Sequence, residues 1–232
     1  MLDGVTPVHL SDRAAVEAAI GRVAARYASA SRFDRGFVKG KLRGDPAVAA
    51  ILGHAPFGEV ADLGCGRGQL GLLLLELGLA QSVTGLDLDA AKIAKGNVAA
   101  AASPAARARF AVADLATASI PACDTVLLMD VLLLMPPEAQ DALLSRAAAA
   151  ARRRILIRAF DPDRGWRSAC GRTIERLRLL FGADPAGCTL APRPIGDIAT
   201  PLAAAGFAVS VTPCWGATPL PNVLITAERR GA

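Results

Sequence analysis

The stretch Val60-Ala-Asp-Leu-Gly-Cys-Gly-Arg-Gly-Gln-Leu-Gly71 constrains this chain more than any other. It opens as a short apolar run, Val60 to Leu63. It then places glycine at every second position (Gly64, Gly66, Gly68) and enters the leucine-rich segment Leu70 to Leu79. That order spells a buried strand, a tight turn and a helix. Glycine lacks Cβ, so the turn can adopt left-handed angles and let a ligand lie against bare backbone. The first N–H groups of the helix have no partner inside it and face the same ligand. An acid, Asp62, stands at the end of the strand, two residues before the first glycine.

From Glu59 onward the strand and helix patterns alternate. Strands are expected over 59–63, 82–86, 109–113, 125–129 and 154–159. Helices are expected over 69–79, 90–102 and 138–151. Apolar strands alternating with helices specify a parallel sheet covered on both faces. After Phe160 the rhythm changes. An amphipathic, Arg-rich helix is expected over 166–181, a proline-containing loop over 182–194 and a helix over 195–205, stopped by Gly206. Strands 207–212 and 223–227 then form a hairpin at one edge. Before the first strand, Ser11 would cap a helix reaching Ala30, with Val16, Ile20, Val23 and Tyr27 on one face. Asp45-Pro46 would start a second, shorter helix. The organisation is therefore a helical cap over 1–57 and an α/β domain over 58–232, in which 161–194 is a substrate-side insertion.

Composition narrows the function classes. With 53% hydrophobic and 20% charged residues, the 232-residue chain can bury a full core. Its net charge of +5 would draw anionic partners. Aromatic residues make up 4% of the chain, too few for stacking on nucleic-acid bases, and no nucleic-acid motif is present. No apolar run approaches the ~20 residues of a membrane span. Peripheral contact with a membrane surface remains compatible with the charge. The N-terminus lacks the pattern of a signal peptide. Five cysteines without paired spacing read as free thiols in a reducing cytoplasm, and with only His9 and His54 no metal cluster is expected.

Two cofactors compete for the glycine turn. Gly66-Arg-Gly-Gln-Leu-Gly71 formally matches the dinucleotide pattern GxGxxG. The strand ends earlier, however, so the fuller pattern is Asp-x-Gly-x-Gly-x-Gly. A carboxylate there repels a pyrophosphate and suits a ligand carrying an ammonium group. Val60 to Gly68 resembles the first motif of class I, Rossmann-like S-adenosylmethionine-dependent methyltransferases. The resemblance implies a three-layer sandwich around a mostly parallel seven-stranded sheet ending in an antiparallel hairpin. It places Asp62, Gly64, Cys65, Gly66 and Gly68 at S-adenosylmethionine. In Gly85-Leu-Asp-Leu-Asp89 it gives Asp87 to the ribose and Leu88 to the adenine face, while Asp89 reads as a helix cap. In Val112-Ala-Asp-Leu115 it brings Asp114 and Leu115 to the adenine edge. In the run from Cys123 to Pro136 it sets Asp130 beside the cofactor.

Many small-molecule members of that family carry a histidine a few residues after this last acid. Leu133 and Leu134 stand there instead, so no catalytic residue is assigned, and Asp130 or a bound water would serve an acceptor that needs a base. Arg43, in the basic run Arg32 to Arg43, and Trp166 are the candidate acceptor contacts. Gly40 to Pro46, Gly165-Trp166 and Thr218 to Leu224 are similar to a bacterial subgroup tied to lipid-like or polyene products. This implies an apolar acceptor with a polar end. The resulting expectation is a cytoplasmic small-molecule methyltransferase that releases S-adenosylhomocysteine. The rivals are an NAD(P)-dependent oxidoreductase and an inactive methyltransferase-like binding subunit.

Overall fold

A computed structural model describes residues 12–28, 31–102, 107–180 and 190–231, with side chains 178–180 outside the description. Ser11, His9, Cys188 and most of the 182–194 loop lie outside the described residues. The strands form a seven-stranded sheet in the order Ala108–Val112, Ala80–Asp87, Gly58–Leu63, Cys123–Met129, Ala151–Phe160, Asn222–Arg229 and Phe207–Pro213. Its contacts divide between two compact units, 1–113 and 114–232.

The first unit holds α1 (Arg13–Ala25), α2 (Arg32–Gly44), α3 (Pro46–Leu52), β1 (Gly58–Leu63), α4 (Gln69–Glu76), β2 (Ala80–Asp87), α5 (Ala90–Ala101) and β3 (Ala108–Val112). Its three strands are parallel, with Asp62 opposite Gly85 and Gly85 opposite Phe110. Asp12 caps α1, its side chain accepting from the Ala15 N–H. Asp45 caps α3 with Pro46 following, as the sequence predicts. Helix α4 stops three residues short of the expected Leu79. Gly78 turns left-handed at φ 68°, and the Leu79 N–H reaches back to the Leu74 carbonyl at 2.9 Å. Leu72, Leu73, Leu74 and Leu77 are fully buried, each worth about 1.5–3 kcal/mol of transfer free energy.

The second unit holds β4 (Cys123–Met129), a 3-10 turn (Leu132–Leu134), α6 (Pro137–Ala150), β5 (Ala151–Phe160), α7 (Trp166–Leu180), α8 (Ile195–Ala204), β6 (Phe207–Pro213) and β7 (Asn222–Arg229). Strands β4 and β5 are parallel, whereas β7 pairs antiparallel with both β5 and β6. The expected terminal hairpin is thus present, with β7 on its inner side. Strand β5 starts three residues before the expected Arg154, because Ala151 already pairs with Cys123 as α6 ends. The alanine tract carries no stop signal, so sequence alone misplaces that boundary.

The glycines of the first unit do two different jobs. A Cβ on Gly68 would lie 2.3 Å from the Phe110 ring, and one on Gly85 2.5 Å from that ring and 2.7 Å from Cys65 Sγ. A Cβ on Gly71 would lie 2.6 Å from Val83. These glycines admit the Phe110 ring and bring α4 onto β2. A Cβ on Gly66 would meet nothing within 4 Å, and its φ is 57°. That position is open and conformationally restricted. Gly85→Ala is expected to lower the unfolding free energy by about 1–3 kcal/mol through overpacking. Gly21→Ala, in α1 with nothing within 4 Å, is expected to raise it by about 0.5–1 kcal/mol. Urea denaturation of both variants checks this pair of opposite signs.

Candidate functional site

Strand β1 delivers Asp62 to its carboxyl end with only 2% of its surface exposed. The chain then turns through Gly64 (φ 77°), Gly66 (φ 57°) and Gly68 (φ 73°). Strand β2 ends on Asp87, whose carboxylate clamps the turn. One oxygen accepts from the Gly66 N–H at 2.7 Å and the other from the Asp89 N–H at 2.9 Å. The Gly64 and Cys65 N–H groups both donate to the Leu86 carbonyl. Leu88, directly after Asp87, is 51% exposed and offers an apolar surface beside this acid. Asp89 caps α5, accepting from the Lys92 N–H, as expected.

Asp62 is the anomaly. Its Oδ2 is buried with no hydrogen-bond partner. Burial, with the Asp87 charge second, pushes its carboxyl up to about 7. A buried, orphaned carboxylate facing another acid is costly. A cationic group placed there would satisfy the oxygen and relieve the repulsion. The residues therefore fit an ammonium-bearing ligand and oppose a pyrophosphate. Cys65 is buried, and desolvation pushes its thiol up, so it is not a thiolate nucleophile.

The N-terminal helices brace this turn. Asp34 of α2, 1% exposed, accepts from Arg67 Nε at 3.0 Å and from Lys95 Nζ at 3.0 Å. It also accepts from the Ser31 hydroxyl at 2.8 Å. Lys95, Ser31 and Arg67, donating to it, hold its carboxyl below the ordinary range. Arg67 lies within the glycine turn, and its guanidinium rests 4.6 Å from the Phe37 ring centre. The Tyr27 hydroxyl donates to the Arg67 carbonyl at 2.6 Å, and burial pushes its phenol up. Tyr27 therefore acts as a donor to the loop and is not a base. In the sequence α2 is a basic run that reads as ligand-facing, and Asp34 is hidden within it. The Ser31-x-x-Asp34 capping pattern was the available signal. Arg43, the expected acceptor contact, is exposed and ion-paired with Glu17.

The second unit has features of its own. Asp114 begins a turn, its Oδ1 accepting from the Ala116 N–H at 2.9 Å, and Arg146 donates to the Leu115 and Ala116 carbonyls. Asp114 is exposed and Leu115 buried. Asp130 closes β4 at φ 60°, a left-handed value rare outside glycine. It is held there by Arg158 of β5, whose Nε lies 3.1 Å from Asp130 Oδ1. Arg158 is 7% exposed, and the Asn222 amide oxygen, in the orientation that satisfies both side chains, accepts from it. In the sequence the one signal for Arg158 is that it interrupts the apolar run Ile155 to Phe160. Leu132 and Leu133 are buried in the 3-10 turn that follows Asp130. Trp166 is 66% exposed at the start of α7. Among the described residues no group of three metal-ligating side chains occurs, and no helix is long and apolar enough to cross a membrane.

Known proteins share this fold. A family profile described as a methyltransferase domain matches residues 60–154. No curated protein matches the chain. Among solved structures, it is similar to the magnesium protoporphyrin IX methyltransferase ChlM of Synechocystis PCC 6803, solved with bound SAH. The two are 24% identical with a TM-score of 0.57, over 79% of this chain and 80% of that one. The S-adenosylmethionine-dependent methyltransferase SibL, in its apo form, is 25% identical with a TM-score of 0.63. That match covers 85% of this chain and 57% of SibL, so this chain spans little more than half of it. An S-adenosylmethionine-dependent methyltransferase from Mesorhizobium loti is 21% identical with a TM-score of 0.64, over 81% of this chain and all of its own length.

Two predictions follow from the buried acids. A group whose pKa is raised on folding stabilises the protein fully below its unfolded value and loses that contribution as pH rises through its folded value. Without ligand, the stability contribution of Asp62 should therefore fall as pH rises from 3.8 through about 7. Asp62→Asn should remove that decline, as read by denaturant melts at successive pH values. Asp34→Ala should cost about 2 kcal/mol of stability by leaving Arg67 and Lys95 without their shared carboxylate. The same melts at pH 7 measure it.

Proposed function

Because residues 60–154 carry a methyltransferase domain of the class I, S-adenosylmethionine-dependent kind, we propose that the chain methylates a small molecule, apolar or lipid-like with a polar end. The observation that carries the cofactor assignment is the buried Asp62 carboxylate, its Oδ2 without a partner, at the strand end that leads into a left-handed glycine turn. Asp62, with the turn of Gly64, Cys65, Gly66 and Gly68, would hold the amino-acid tail, Gly66 giving it an open approach. Asp87 keeps lone pairs free beyond its two backbone donors and would accept from the ribose hydroxyls, with Leu88 against adenine. The resemblance adds Asp114 and Leu115 to the adenine edge and Asp130 to the cofactor's surroundings. S-adenosylmethionine, when bound, supplies an electrophilic methyl on a sulfonium and leaves as S-adenosylhomocysteine.

The residues of this chain would contribute binding, orientation and exclusion of water. Transfer from a sulfonium is an in-line displacement, so placement of the acceptor supplies much of the rate. No histidine follows Asp130, and Leu132 and Leu133 make that turn apolar. This favours an acceptor that is already anionic or readily deprotonated, such as a phenol or carboxylate, over an aliphatic alcohol. Asp130 is tied to Arg158, so its carboxylate is oriented and charge-balanced.

Asp87→Ala should weaken S-adenosylhomocysteine binding by about 1–3 kcal/mol, the cost of losing a charge-assisted acceptor, as measured by isothermal titration. Unchanged affinity would remove Asp87 from the site. In the same titration NADH should not bind; micromolar NADH binding without S-adenosylhomocysteine binding would favour the oxidoreductase instead. Mass-spectrometric assay of phenolic and carboxylic lipids with labelled S-adenosylmethionine tests the acceptor class, and label appearing only on polar acceptors would reject it.

A further inference from the structure

Helix α7 is packed with its polar side inward. Ser168 is 1% exposed and Glu175 8% exposed, while Gly171 lies so close to the body that a Cβ would meet the Phe160 ring at 2.6 Å and Pro221 at 2.8 Å. These three positions, spaced by three and four, form one helical stripe. The opposite stripe contains Trp166, Ala169, Thr173 and Leu177, all exposed, with Trp166 at 66% and Leu177 at 46%. Ordinary folding energetics put the large apolar side chains of a helix inside. Among its described side chains, the helix turns Ser168, Gly171 and Glu175 inward and sends Trp166 and Leu177 outward.

Arginines flank that outward ridge. Arg172 and Arg176 lie along one side. Arg167 lies on the other, stacked 4.9 Å from the Trp166 ring centre and 5.0 Å from that of Trp215, and it donates to the Thr218 carbonyl. Arg164, ion-paired with Asp161, extends the basic margin over Trp215. The acid within the described side chains of α7, Glu175, points inward, and Asp163 in the preceding turn is the exposed acid nearby. An apolar ridge with a tryptophan at one end and guanidinium groups along both sides matches the interfacial zone of an anionic bilayer. There apolar side chains enter the acyl boundary and arginines reach the phosphates.

We propose that the outward face of α7 docks the protein on the surface of an anionic phospholipid membrane. A symmetric contact with a second copy is disfavoured by the same charges, because an isologous pairing would set the arginine rows against one another. The proposal stands independently of the acceptor proposed above.

Flotation of the full chain with vesicles tests it. The chain should float with vesicles of equal phosphatidylglycerol and phosphatidylcholine, and stay behind with phosphatidylcholine alone. Tryptophan emission should shift to the blue only with the anionic vesicles. Arg172→Glu/Arg176→Glu should reduce the partition coefficient at least about twentyfold. Ala169→Glu, on the exposed ridge, should reduce it, and Thr173→Leu should increase it. Circular dichroism and S-adenosylhomocysteine affinity should be unchanged in all three variants, which separates a lost docking face from a lost fold. No partition onto anionic vesicles, or partition indifferent to all three variants, would overturn the proposal. So would a concentration-dependent dimer that Ala169→Glu abolishes in the absence of lipid.

Discussion

The hydrogen bond from the Gly66 N–H to Asp87 is the contact on which the arrangement of the first unit depends. It ties the turn after β1 to the end of β2, and it requires a left-handed residue at its centre. Once it forms, the glycine turn cannot move without breaking a charge-assisted bond at 2.7 Å. Asp62 is then fixed beneath the turn, close enough for the Asp87 charge to raise its pKa. The strain of two neighbouring acids is therefore built into the scaffold before any ligand arrives. A cationic ligand tail relieves it.

The support extends outward in layers. Phe110 fills the space that Gly68 and Gly85 leave open, holding the turn from below. Arg67, Asp34 and Lys95 hold it from the side, and Tyr27 holds its carbonyl. Each layer uses a different force: aromatic packing, buried ion pairing and a hydrogen bond to backbone. The helices before β1 are thus part of the machinery that shapes the turn, because α2 supplies the acid that positions Arg67. In the second unit Arg158 plays the corresponding part for Asp130, fixing a left-handed aspartate by charge.

The strand, the turn and the start of the helix from Val60 onward were legible in the sequence because their signals are local. Glycine spacing, an acid at the strand end and a leucine run lie within twenty residues of one another. The hairpin and the caps at Asp45 and Asp89 were legible for the same reason. The bracing was not. Asp34 meets partners 33 and 61 residues away, and in the sequence it is one acid inside a basic run. The Asp130–Arg158 pair joins successive parallel strands, and nothing local marks it. The direction faced by α7 was also hidden. Its amphipathic pattern was visible, but an inward Glu175 and an outward Trp166 reverse the usual rule, and only packing against Phe160 and Pro221 decides which face turns in.

The central claim is that Asp62 makes the glycine turn a site for a cationic amino-acid tail. The most direct measurement compares S-adenosylhomocysteine with 5′-methylthioadenosine, which keeps the nucleoside and lacks the tail. Isothermal titration of the native chain and of Asp62→Asn with both ligands isolates the tail's contribution. The account predicts that the native chain prefers S-adenosylhomocysteine by about tenfold or more, as expected for a charge-assisted contact. It further predicts that Asp62→Asn erases most of that preference while leaving methylthioadenosine binding intact. Equal affinity of the native chain for the two ligands, or a preference that survives the substitution, would contradict it.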